Sequence, residues 1–181
     1  MKVTFNPNRA TKLFAMSVIA FASVTTPAQS KDQKVKAAFL LNFANYVEWP
    51  ATTFSDSNTF TIGVVGRDSL NGALESAMDG KSVGGRKVVV KHLRWDQDLT
   101  RCQILLVPSG ESGNYRKLES LKRSPVLTVG ETLGFAQSVG IINFITDSSK
   151  VGFEINSKRG QTAGLDISSK LLRLAKVVDH T

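Results

Sequence analysis

The sequence predicts an α/β fold: a single-domain three-layer sandwich whose mixed, mostly parallel sheet carries a C-terminal antiparallel hairpin, with helices on both faces. Three observations predict it. Short apolar runs rich in β-branched residues alternate with stretches of helical period through the middle of the chain. Two later apolar runs, residues 141–145 and 151–155, stand too close together for a helix between them. Behind a leader, about 150 residues remain, the usual size of one domain with its own core.

The leader is read from charge and length. Lys2, Arg9 and Lys12 precede an apolar stretch over residues 13–24 and a short polar run over 25–30, which is the order of a secretory signal. A helix that spans a bilayer takes roughly twenty apolar residues, and this stretch is much shorter. Ala28 and Ser30 are small residues placed for a cut before Lys31, and Pro27 is placed to end the signal helix. No cysteine directly follows to accept a lipid. Residues 1–30 are therefore expected to be a cleaved signal peptide, and residues 31–181 the soluble, exported domain.

The domain opens with an expected amphipathic helix over residues 32–47, with Asp32 as its cap and Pro50 ending it. Val35, Phe39, Phe43 and Tyr46 or Val47 fall on one face, while Leu40, Leu41 and Ala44 make a second face apolar. Such a helix is either buried on two sides or shared with another protein. A buried strand follows over residues 60–66, then a short helix over 70–78 with Leu70, Leu74, Ala77 and Met78 facing inward. Gly80 ends that helix, and Gly84-Gly85 turns the chain into a second strand over 87–93. A third strand is expected at 103–107, closed by Pro108.

From Ser112 the spacing of Tyr115, Leu118 and Leu121 predicts a helix, and residues 125–129 a further strand. The runs 141–145 and 151–155 form the hairpin, with Asp147-Ser148-Ser149 suited to its turn. Asp166 or Ser168 caps a last helix, with Leu171, Leu174, Ala175 and Val178 facing inward.

Composition narrows the function. The 23 basic and 15 acidic residues give a formal charge of +8, which falls to +5 once Lys2, Arg9 and Lys12 leave with the leader. The remaining basic residues stand singly or in pairs such as Arg86-Lys87 and Lys122-Arg123, without a basic run or an aromatic-rich motif for nucleic acid. Cys102 is the single cysteine, so no disulfide forms within the chain, and its place at the head of an apolar run reads as a buried, inert thiol.

Catalytic patterns are missing as well. His92 and His180 stand apart, which excludes a histidine metal cluster. Ser109 lacks the glycine frame of a nucleophile elbow. Ser168-Ser169-Lys170 reads as a helix cap followed by a solvated lysine, and Glu48, Glu111, Glu131 and Glu154 are dispersed. The expectation is a protein that is not an enzyme and holds no cofactor and no metal. The loop Gly66-Arg67-Asp68-Ser69 leaves a strand and enters a helix, so its backbone N–H groups are a candidate anion site; without the dinucleotide or P-loop pattern, the plainer reading is a tight turn.

Several stretches, taken in order, resemble the YfiR family of periplasmic proteins across nearly the whole domain. They are Lys36-Ala37-Ala38-Phe39-Leu40-Leu41-Asn42-Phe43 continuing to Val47-Glu48-Trp49-Pro50, then Ile62-Gly63-Val64-Val65-Gly66 and Val83-Gly84-Gly85-Arg86-Lys87-Val88-Val89-Val90. Cys102-Gln103-Ile104-Leu105, Pro125-Val126-Leu127-Thr128-Val129, Phe153-Glu154-Ile155-Asn156 and the run from Gly164 to Leu172 complete the set. The resemblance implies a periplasmic negative regulator that binds the sensor domain of an inner-membrane diguanylate cyclase of the YfiN type, lowering cyclic di-GMP and biofilm formation. It also implies sequestration by a YfiB-like outer-membrane partner, and a homodimer. Members of the family often carry cysteine pairs, and Cys102 stands where one half would be. The strand in which its mate is expected has Gly63 instead, which leaves redox control through that bond open.

Two readings follow. As a protein-binding repressor, the chain has its candidate anchors in Tyr46, Trp49 and Phe54 at the end of the opening helix; the bland alternative is that they pack under the sheet. As a periplasmic small-ligand binding or sensing protein, it uses Gly66, Arg67, Asp68 and Ser69 at a strand's carboxyl end, where open α/β sheets bind ligands.

Overall fold

A computed structural model describes residue 1 and residues 27–55, 57–147 and 150–179. The expected leader up to residue 26, Ser148 and Ser149 of the expected turn, and His180 lie outside the described residues. A long helix α1 (Pro27–Tyr46) leads to the two-residue strand β1 (Val47–Glu48), then β2 (Thr59–Val65), α2 (Ala73–Met78), β3 (Ser82–Val83) and β4 (Arg86–Leu93). There follow β5 (Ile104–Val107), a 3₁₀ helix (Ser112–Leu121), β6 (Leu127–Gly130), α3 (Phe135–Ser138), β7 (Ile142–Asp147) and β8 (Lys150–Ile155). The chain closes with α4 (Ser157–Thr162), β9 (Asp166–Ile167), α5 (Ser169–Leu172) and β10 (Lys176–Val177).

Eight strands form one sheet in the order β10-β8-β7-β6-β5-β2-β4-β3, while β1 and β9 make a separate antiparallel pair. Within the large sheet the β3–β4 and β7–β8 pairs are antiparallel and the others parallel. This is the mixed, mostly parallel sheet with a C-terminal hairpin that the sequence predicts. The central strands β2, β5 and β6 are mostly apolar because both of their faces are covered.

Alternation along the strands sorts the core into two clusters. Phe60, Ile62 and Val64 of β2, Ile104 and Leu106 of β5, and Leu127 and Val129 of β6 face one way, against Leu40, Phe43 and Ala44 of α1 and Leu74 of α2. Val65, Leu105 and Val107 face the other way, against Leu118 and Leu121 of the 3₁₀ helix and Phe135 of α3. On that second face, toward the β10 edge, Asn143 of β7 and Glu154 of β8 stand opposite one another in register. Both are buried. Gln137 of α3 donates to Glu154 Oε2 at 2.8 Å, and the Lys176 ammonium donates to Oε1 at 3.0 Å. Burial works to raise the Glu154 carboxyl, but the bonds from Lys176 and Gln137 outweigh it and hold the group below the usual carboxylate range. The Asn143 amide also lowers it, though neither amide atom of Asn143 makes a hydrogen bond of normal geometry.

Three expectations are corrected at the chain's ends and middle. Asp32 is not a cap: α1 is already helical from Pro27, where the described residues resume, and Asp32 lies inside it. The helix also stops before Pro50, because Val47 and Glu48 leave it to pair with Ile167 and Asp166. The final helix is a single turn. Ser168 caps it, its hydroxyl accepting from the Leu171 N–H at 3.3 Å, and Leu171 is buried. Leu174 is 72% exposed instead of inward, because the chain has turned into β10, anchored by the Val178 N–H donating to the Ile155 carbonyl at 2.8 Å. The segment after Ser112 keeps Leu118 and Leu121 inward but winds as 3₁₀, starting through Gly113 and Asn114, which are poor helix formers.

Candidate functional site

From β2 the chain passes through α2 to β4 on one side, then returns to place β5 on the other side of β2. That reversal is a topological switch point, and the loops at the carboxyl ends of the strands part there. A crevice of about 700 Å³ opens between them. Arg67, Asp68 and Ser69 after β2, Ser109 after β5, and Glu131 after β6 line it; Asp32, Gln33 and Lys36 of α1 form the facing wall.

Glu131 is the deepest charge, its side chain 4% exposed, and the Lys36 ammonium donates to its Oε1 at 2.7 Å. Lys36 also lies 5.8 Å from the centre of the Phe144 ring, so its stem and its head are both held. Gln33, a buried amide, donates to the Ser69 carbonyl at 3.0 Å and ties α1 to the loop after β2. Glu131 Oε2 and Ser69 Oγ are shut from solvent and have no hydrogen-bond partner.

The loop itself differs from an anion cradle. The Asp68 carboxylate accepts from the Leu70 N–H at 2.8 Å and the Gly72 N–H at 3.0 Å. Those donors are occupied by the chain's own carboxylate. Gly66 has φ +78 and lies against Glu111, whose carboxylate a Cβ there would strike. Glu111 is fixed in turn by the Trp95 indole N–H at 2.6 Å and the Asn114 amide at 3.1 Å.

The aromatic candidates separate. Trp49 packs edge-on to Phe60 with ring centres 5.1 Å apart, and its indole N–H donates to the Gln103 carbonyl at 3.2 Å. Phe54 is covered by the Arg86 guanidinium, 4.0 Å from its ring centre. Both pack against the large core cluster, whereas Tyr46 is 40% exposed. Cys102 is buried, its thiol pushed up to about 12 by burial. A Cβ on Gly63 would stand 3.2 Å from its sulfur, so the two positions that the family resemblance relates are neighbours. His92 meets Glu75 at 2.7 Å on the surface, and no three metal-ligating residues converge among the described residues.

Sequence reasoning singled out the loop 66–69, which lines the crevice, and did not connect Gln33, Lys36 and Glu131 to it. Lys36 and Glu131 are 95 positions apart, beyond any spacing rule. A signal did exist for Gln33: it shares the helical face of Ala37, Leu40 and Ala44, and a polar residue on a core-facing stripe calls for a partner.

No helix among the described residues is long and apolar enough to cross a membrane. The family model described as YfiR/HmsC-like matches residues 33–176. No curated protein matches the chain.

Proposed function

The chain belongs to the YfiR/HmsC-like family, and from that premise we propose that it is a periplasmic repressor of an inner-membrane diguanylate cyclase. It binds the periplasmic sensor domain of a YfiN-type cyclase, keeps the enzyme inactive and so lowers cyclic di-GMP and biofilm formation. Membership points to a regulatory rather than a catalytic protein, within diguanylate cyclase signalling. The observation that carries the reading is the match over residues 33–176, which spans all the elements from α1 to the start of β10. In this reading the working form is a homodimer, and a YfiB-like outer-membrane protein relieves repression by sequestering it.

Tyr46 is the best-placed of the three aromatic anchors, because it is exposed while Trp49 and Phe54 are partly buried against the core. A rigid aromatic on a supported helix end makes an effective contact. Deleting the gene in a strain with an intact cyclase is expected to raise cyclic di-GMP, measured by mass spectrometry, and complementation with Tyr46→Ala to restore repression poorly. Unchanged cyclic di-GMP on deletion sinks the proposal.

A further inference from the structure

We propose that the crevice at the carboxyl edge of the sheet is a binding site for a small molecule bearing a primary ammonium group. The site lies where the strand order reverses, and its volume of about 700 Å³ is in the range of ligand sites. Among the described residues no aromatic ring lines it, so a large apolar ligand has nothing to stack on. The ligand is selected by hydrogen bonds and charge.

Glu131 supplies the main contact. Its side chain is 4% exposed, one oxygen is bonded to Lys36, and the other has no partner. A carboxylate oxygen left this way is an unmet acceptor, and it costs stability until a donor arrives. The terminal torsion of a glutamate is broad and two-fold, so in this proposal the carboxylate turns to present Oε2 to the crevice and the long Lys36 side chain follows Oε1. Ser69 Oγ, also unpartnered, is a second group for the same donor. An ammonium carries three donors, enough to serve both and to face Asp32 at the rim.

Charge selects against the opposite class. The lining holds Asp32, Asp68 and Glu131 against Lys36 and Arg67, an excess of one negative charge. The backbone donors that would receive an anion, the N–H groups of Leu70 and Gly72, already bond to Asp68. The crevice therefore offers acceptors to a cation.

The test is calorimetric titration of the purified chain at low salt near neutral pH with three four-carbon probes: putrescine, butanediol and succinate. Putrescine is expected to bind saturably, and the diol and diacid to give no saturable heat. Glu131→Gln is expected to weaken putrescine by about 10-fold or more, the loss of a hydrogen bond to a charged acceptor, and the exposed-surface control Glu119→Gln to leave it unchanged. Should Glu131→Gln not fold, Ser69→Ala, which spares the Lys36 pair, decides by a smaller weakening. Absence of saturable putrescine binding, equal binding of the diol, or undiminished binding in both crevice variants overturns the proposal. The site is inferred without reference to a cyclase, so failure here leaves the repressor reading standing.

Discussion

The two faces of the sheet are made by the same strands and held by different forces. On one face Phe60, Ile62, Val64, Ile104, Leu106, Leu127 and Val129 join α1, α2 and α5 in a single large apolar cluster. On the other, the intervening residues include Thr61, Thr128, Asn143 and Glu154, all buried. The first face is stabilised by apolar area removed from water, roughly 25 cal/mol per Å². The second joins a smaller apolar cluster to these buried polar groups and depends on the fit of one ring: Phe135 is fully buried against Gly130 and Gly140, where any Cβ would strike it. A face held by area tolerates exchange of one aliphatic residue for another; a face held by fit and bonding does not.

The largest effect is expected on the apolar face. Phe43→Ala removes a ring packed against Phe39, Phe144 and Phe153 and should lower the urea-unfolding free energy by about 3–5 kcal/mol. Gly140→Ala probes the second face, where adding one methyl group should cost about 1–3 kcal/mol through overpacking. A cost near zero would show that Phe135 is not the tight fit described.

Glu154→Gln should cost less, about 1 kcal/mol at neutral pH, because Lys176 is largely solvated and the pair is screened. Its pH dependence is the sharper reading. The folded carboxyl titrates below its ordinary value of 4.5, so its stabilisation is complete above that value and is lost as pH falls through the lower folded one. The difference between wild type and Glu154→Gln should therefore shrink below about pH 4.5; a constant difference would contradict the assignment.

Asn143→Leu should have the smallest effect. The amide is the smallest of the influences that lower the Glu154 carboxyl, the Gln137 and Lys176 bonds stay in place without it, and stability by urea unfolding is expected to stay within about 1 kcal/mol of wild type. A loss well above that would mean the amide is satisfied in solution, and would bring the two faces closer in kind.

The apolar face was the legible one. Runs such as Phe60 to Val65 and Ile104 to Val107 announce strands by composition alone, and the helical spacing of α1 survives both misplaced ends. The polar face was harder to read, since Asn143 and Glu154 meet only through the register of a hairpin. Two-residue strands such as β1, β9 and β10 are too short for any period to show. The crevice was half legible: its loop follows from a strand ending in glycine, but its Lys36–Glu131 base is made by tertiary folding alone.

The pairing of β1 with β9 also sets the order in which the protein can be completed. It joins Val47 to Ile167, about 120 positions apart, and contacts of such separation form late because closing so long a loop costs entropy first. Phe43 of the opening helix likewise waits for Phe144 and Phe153. A chain that emerges amino end first therefore presents its long opening helix well before the strands that cover it exist. In that interval the helix is open to chaperones and proteases, and the last third of the chain ends its exposure.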